Sequence, residues 1–338
     1  MSWKDQLRKD SVPWLLETEN PGIRYLALRD LMDSPGEQAD LKSARRKAHK
    51  DGPIAKILSH MEPAGYWIRP GPGYNPKYRS IVWSLILLAQ LGASAREDTR
   101  IEKACKYILD HNLTEGGQFT TMTSGAPSGT VDCLQGNICW ALMELGYDHP
   151  RLKKAYQWMA RAVTGDGIAP RTSMDSIRYY AYKSGPLFAC GVNGDLPCAW
   201  GGAKVMLAFG KWPARRRTPL IRKAIKRGVD FFLGIDPVSA GYPTRDSSKP
   251  NRSWWKFGFP VFYVTDILQI AEVLVGLSLG RDRRLSHTLD LIRSKQDQNG
   301  RWALKYEYKG KTWVDFGKLK QPNKWVTLRA LRVLKAAG

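Results

Sequence analysis

A helix that ends on a leucine- or phenylalanine-glycine pair recurs four times along the chain, and no other feature limits the fold so strongly. The pairs close LLAQLG (87–92), LMELG (142–146), MLAFG (206–210) and GLSLG (276–280), with glycines 54, 64 and 70 residues apart. Each glycine is expected to take the left-handed conformation that stops a helix. Charged or proline-bearing segments follow: EDTRIEKA, DHPRLKKA, RRTPLIRKA and RDRRLSHT. Each opens a second, amphipathic helix, with Tyr107-Ile108-Leu109, Trp158-Met159, Phe231-Phe232-Leu233 and Leu291-Ile292 at helical positions.

Most second helices then run into a glycine beside an aromatic or aliphatic residue. The copies are Gly116-Gly117-Gln118-Phe119, Asp166-Gly167-Ile168 and Asn299-Gly300-Arg301-Trp302, with Ala64-Gly65-Tyr66-Trp67 upstream. The unit is a helical hairpin plus an aromatic loop. PGIRYLALRDLM (21–32) and LKSARRKAHKDGPIAKILSHM (41–61) supply another pair, and KWVTLRALRVLKAAG (324–338) a final single helix. The pattern predicts about eleven helices and little strand, apart from a short hairpin over 303–314 turning at Lys309-Gly310. Hairpins repeated in this way stack as an open solenoid or close into a ring. The compact length and aromatic loops favour closure, so the expected fold is all-α, an α/α toroid over residues 51–338 with residues 1–50 as a helical segment packed on it.

The loop SKQDQNGRW (294–302) resembles the Q-x-x-D-G-x-W pattern of the prenyltransferase and squalene-oxidase repeat, through Gln296, Asn299, Gly300 and Trp302. AGYW and EGGQF resemble weaker copies, and the similarity covers roughly residues 50–338. SWWKFGFPVFYVTDILQ and KWVTLRALRVL are also similar to uncharacterised bacterial and archaeal members of this family. The resemblance implies the α/α toroid shared by terpenoid cyclases and protein prenyltransferases. It does not carry a reaction. The chain has no D-x-D-D, no D-D-x-x-D and no C-G-E-Q, and no full match to the zinc sites of protein prenyltransferases or lanthionine cyclases.

Counting back twelve to fourteen residues from each capping glycine lands on Tyr78, Cys133, Cys198 and Asp266, and Lys324-Trp325 opens the last helix. In a ring these helix starts converge on one mouth. The stretch Cys190 to Lys204, CGVNGDLPCAWGGAK, places Cys198 in the first turn of a helix running to about Phe209, where backbone N–H groups favour a thiolate. Cys133, Cys190 and Cys198, with Asp266 or water, would suit Zn²⁺. Proximity of Cys190 and Cys198 without a metal, and a nucleophilic Cys198, are the other readings. Cys105 and Cys139 fall inside helices and read as core. Asp266, Cys198 and Lys324 are the candidate catalytic residues. Trp67, Tyr74, Tyr78, Asn137, Trp200, Trp255, Tyr263 and Trp325 are candidate lining for an apolar substrate. Lys77, Lys204 and Lys324 beside the aromatics would meet an anionic, diphosphate-like head.

The carboxylates Asp132, Asp175, Asp195, Asp246 and Asp266 also permit acid–base work on a polysaccharide. A non-catalytic ring that only binds or scaffolds is the remaining alternative. The chain carries 53 Lys and Arg against 31 Asp and Glu, net +22. Its cations are dispersed and accompany no nucleic-acid motif, so contact with an anionic membrane surface is expected ahead of dedicated nucleic-acid binding. The first residues lack an apolar signal core, no apolar run reaches bilayer length, and five cysteines follow no close spacing; a cytoplasmic location is expected.

Overall fold

The computed structural model describes residues 2–32, 39–123, 130–168, 184–245 and 249–338. Asp175 and Asp246 lie outside them. The chain is mostly helical. Helices α1 (Val12–Leu15), α2 (Pro21–Leu31), α3 (Ala39–Lys50) and α4 (Pro53–Leu58) come first. They are followed by α5 (Ile81–Gln90), α6 (Thr99–Asn112), α7 (Asp132–Glu144) and α8 (Leu152–Thr164). The three short strands β1 (Ser184–Gly185), β2 (Ala189–Cys190) and β3 (Leu196–Pro197) form an antiparallel sheet in that order. The chain then runs through α9 (Ala199–Lys211), α10 (Pro219–Leu233), α11 (Ile267–Gly276), α12 (Ser286–Ser294) and α13 (Lys324–Ala337). The expected hairpin over 303–314 is replaced by isolated bridges, Gly258 with Tyr306 and Ala303 with Pro322, although Gly310 does turn at φ +69°.

Packing alternates along the chain. Helix α5 packs on α7, α7 on α9, α9 on α11, α11 on α13, and α13 on α2. The intervening α6, α8, α10 and α12 each stand against the helix before them. This division follows from composition. Helix α5 buries nine of its ten residues, whereas α6, α8 and α10 bury one face and leave a charged one to water. The tightest crossing is α7 on α9, where glycines let the backbones meet. A Cβ on Gly136 would stand 2.3 Å from the Lys204 carbonyl carbon, and one on Gly201 would stand 3.0 Å from the Asp132 Cβ.

Two of the four proposed capping glycines are left-handed, Gly92 at φ +77° and Gly146 at φ +79°. The other two are not. Gly210 lies inside α9, and at the end of α11 the left-handed residue is Ser278, at φ +66°. Close approach explains Gly280, where an added Cβ would meet the Ala336 oxygen at 2.5 Å; at Gly210 the nearest atom, the Gly276 oxygen, is 3.4 Å away, an ordinary contact.

The aromatic loops are structurally equivalent. Glu62, Thr114 and Asp297 each accept a backbone bond from the glycine three residues on and donate to the carbonyl four residues on. Trp67 and Trp302 are buried, and each indole N–H donates at 2.8 Å to the carbonyl ten residues back, Ile57 and Ile292. These tryptophans fasten a loop to the preceding helix.

Candidate functional site

Three of the four positions reached by counting back from the helix ends lie at helix starts, as does Lys324. Cys198 is the N-cap of α9, its sulfur accepting from the Gly201 N–H at 3.5 Å, and Cys133 is the second residue of α7. Asp266 is the N-cap of α11, Oδ1 accepting from the Gln269 N–H at 2.8 Å. Lys324 is the first residue of α13. Tyr78 precedes α5 by three residues, at φ +74°.

Their surroundings differ. Arg329 grips both oxygens of Asp266 at 3.0 Å, and the Gly258 N–H adds a further bond at 3.0 Å. The same guanidinium reaches Glu272 at 2.7 and 2.9 Å and the Gly258 carbonyl at 2.7 Å. A carboxylate so committed orders the turn before α11. Lys324 pairs with Glu17 at 2.6 Å and sits over the Trp14 ring, tying α13 to the N-terminal segment.

The expected aromatic lining packs largely on itself. Tyr74, Tyr78 and Tyr263 surround Trp83, with ring centres 5.4, 5.0 and 4.9 Å away, and Tyr78 also meets Tyr308 at 4.7 Å. Trp325 stacks on Phe259 at 4.6 Å, the Trp255 indole donates to the Val238 carbonyl, and Trp200 packs half-buried at the start of α9. Lys77 faces the Tyr74 ring at 5.7 Å.

The cysteines gather differently. Cys190 on β2, Cys198 and Cys133 are all free thiols within electrostatic reach of one another. The neighbouring Cys198 thiol holds Cys190 below the ordinary thiol value, and the backbone N–H groups of Asn193 and Val192 act in the same sense. Its interaction with Cys190, then burial, raises Cys198. Burial pushes Cys133 up to about 12, against the pull of Lys204. Beside them Asp132 is buried with neither oxygen hydrogen-bonded among the described residues, and burial, with a smaller push from Cys190, raises it to about 8. Among the described residues, no group of three or more His, Cys, Asp or Glu side chains is arranged to hold a metal ion.

Lys204 is the most unusual of the expected residues. It lies midway along α9, has no exposed surface, and donates to Oε1 of Gln269 on α11. Burial lowers its amine to about 7, with Cys133 and Asp266 opposing that shift.

A cavity of about 550 Å³ opens at the other end of these helices. Its lining draws on α2, α5, α7, α9, α11 and α13, mostly their C-terminal turns. Apolar walls come from Trp140, Leu207, Phe259, Val261, Val275 and Val333. Arg29, Lys211, Arg329 and Arg332 face Asp30, Glu144 and Glu272 across it. Glu144 takes both Lys211, at 2.5 Å, and Arg29, at 3.4 Å, while Asp30 takes Arg29 and Arg332. Gln269 and Asn137 also line the cavity, and the Asn137 amide nitrogen has no partner among the described residues.

Of the expected site residues only Asn137 lines this cavity directly, with Lys204 one hydrogen bond behind Gln269. The charged residues were missed, yet a signal existed. Glu272 is the lone charge in ILQIAEVLVG, and Arg329 and Arg332 interrupt the apolar WVTLRALRVL, which calls for buried partners or a site.

No family model matches the chain, and no curated protein matches it. Among solved structures, the chain is similar to the type II terpene cyclase MstE from Scytonema, with 12% identity, 87% of this chain and 97% of that chain covered, and a TM-score of 0.32. A protein from Actinoplanes matches with 12% identity, 88% and 99% coverage, and a TM-score of 0.31.

Proposed function

We propose that α2, α5, α7, α9, α11 and α13 close into the inner layer of an α/α toroid that binds a small amphipathic molecule. Its isoprenoid- or lipid-like body occupies the central cavity, and its anionic head meets the cations there. One observation carries this reading: six helices distant in sequence contribute to a single cavity of about 550 Å³, within the range that encloses a small ligand. Its walls are apolar, and its cations outnumber its carboxylates four to three. An anionic head would compete with Glu144 for Lys211 and Arg29.

The interior also holds a group able to move a proton. An amine near 7 is divided between its two forms at neutral pH, and Lys204 stands behind Gln269, which lines the cavity.

Calorimetric titration with a prenyl diphosphate, the matching alcohol and the matching amine tests this assignment. Tightest binding by the diphosphate, weakened in Lys211→Ala, is the expected order. Equal heats for all three ligands, or preference for the amine, would contradict the anionic-head reading.

A further inference from the structure

The cavity reading leaves unused the most reactive group of the cysteine cluster. Cys190 pairs with Leu196 in the β2–β3 ladder, and Cys198 stands two residues beyond Leu196. The two cysteines are therefore diagonal cross-strand neighbours on one face, with side chains in mutual reach. A tight turn joins them, with a short 3₁₀ segment over Gly191–Asn193 and left-handed Gly194 and Asp195. Both thiols are free and only partly buried, whereas Cys105 and Cys139 are buried inside α6 and α7.

We propose that Cys190 and Cys198 form an exchange-active dithiol whose substrates are small-molecule disulfides of the glutathione type. The Cys190 thiolate attacks one sulfur of the disulfide. The S–S bond breaks, a mixed disulfide forms on Cys190, and the departing thiolate takes a proton from solvent. Cys198 then attacks the Cys190 sulfur, and its proton passes to the second departing thiolate. One external disulfide is reduced to two thiols, and one Cys190–Cys198 disulfide is formed.

The roles are set by position. Cys190 lies on β2 beside the Val192 and Asn193 N–H groups of the turn and is the attacking group, while Cys198, held as the N-cap of α9, attacks in the second step. The charged and titratable groups facing the pair are Asp195, Asp132 and Cys133. Because Cys198 caps α9, the disulfide would join β2 to the helix that carries Lys204 and Leu207.

The test uses the full chain equilibrated in glutathione buffers, quenched with an alkylating agent and mapped by peptide mass spectrometry. The expected result is an internal link between Cys190 and Cys198, unchanged in Cys133→Ser. Cys198→Ala should stop at a glutathione adduct on Cys190. In Cys190→Ala, adduct formation on Cys198 should slow by about tenfold or more. Separate adducts on the two cysteines of the native chain, or linkage of either to Cys133, would overturn the proposal. So would a stoichiometric zinc that shields both thiols and resists a chelator. The mapping of the native chain decides the matter even if a variant does not fold.

Discussion

The buried Lys204 amine donates to the side-chain oxygen of Gln269, joining α9 to α11. A wholly buried lysine with a neutral acceptor is costly when charged, which is why its amine is lowered to about 7. A group depressed in the folded state contributes stability that is present above its unfolded value, near 10.4, and lost as pH falls through 7. Lys204→Met should therefore stabilise the chain, with a gain that grows from about pH 10 to pH 7 and levels off below. Urea unfolding at several pH values reads this out, and a pH-independent difference would contradict it.

Asp132 has the opposite sign. Its folded value, raised to about 8, means that its contribution is fully present below the unfolded carboxylate value and disappears as pH rises towards 8. The stability of Asp132→Asn relative to the native chain should rise between about pH 4 and pH 8, by at most ~1.4 kcal/mol per pH unit. A flat difference across that window would place Asp132 among ordinary ionised carboxylates.

Arg329 has a structural role that its position at the cavity conceals. Arg329→Met leaves the Asp266 carboxylate buried without its cation and should cost about 3 kcal/mol. The double change Arg329→Met with Asp266→Asn should recover a good part of that loss. Additive losses would show that the pair is not coupled.

At the α7–α9 crossing, Gly136→Ala would set a methyl group 2.3–2.5 Å from backbone atoms of Lys204 and Val205. Neither helix backbone can yield without moving a side chain that lines the cavity, so a loss of roughly 3 kcal/mol is expected. Gly146→Ala meets no neighbouring atom and should cost less, through its left-handed backbone alone. Equal thermal shifts in the two variants would contradict this ranking.

The helices were legible because their signals are local. Apolar periodicity, Thr218-Pro219 and Asp98-Thr99 starts, and the Gly-x-Trp loops need only neighbours in sequence. Even the helix starts at Cys133, Cys198 and Asp266 followed from counting. The roles of those starts did not, because each depends on a partner far away. Arg329, 63 residues on, turns Asp266 from a candidate ligand into a structural cap. Trp83 and Phe262 fill the space that Tyr78 was expected to line. Gly280 reads as a cap, yet it marks a close backbone approach, and sequence spacing does not separate these two uses of glycine.

The central claim is that the cavity holds the ligand, and Leu207 projects from its wall. Calorimetric titration of a prenyl diphosphate into the native chain and into Leu207→Trp, both checked for unchanged thermal unfolding, tests it most directly. The account predicts one site per chain, with affinity reduced at least about tenfold when the indole fills the cavity. Undiminished binding by a folded Leu207→Trp, or no binding by the native chain, would contradict it.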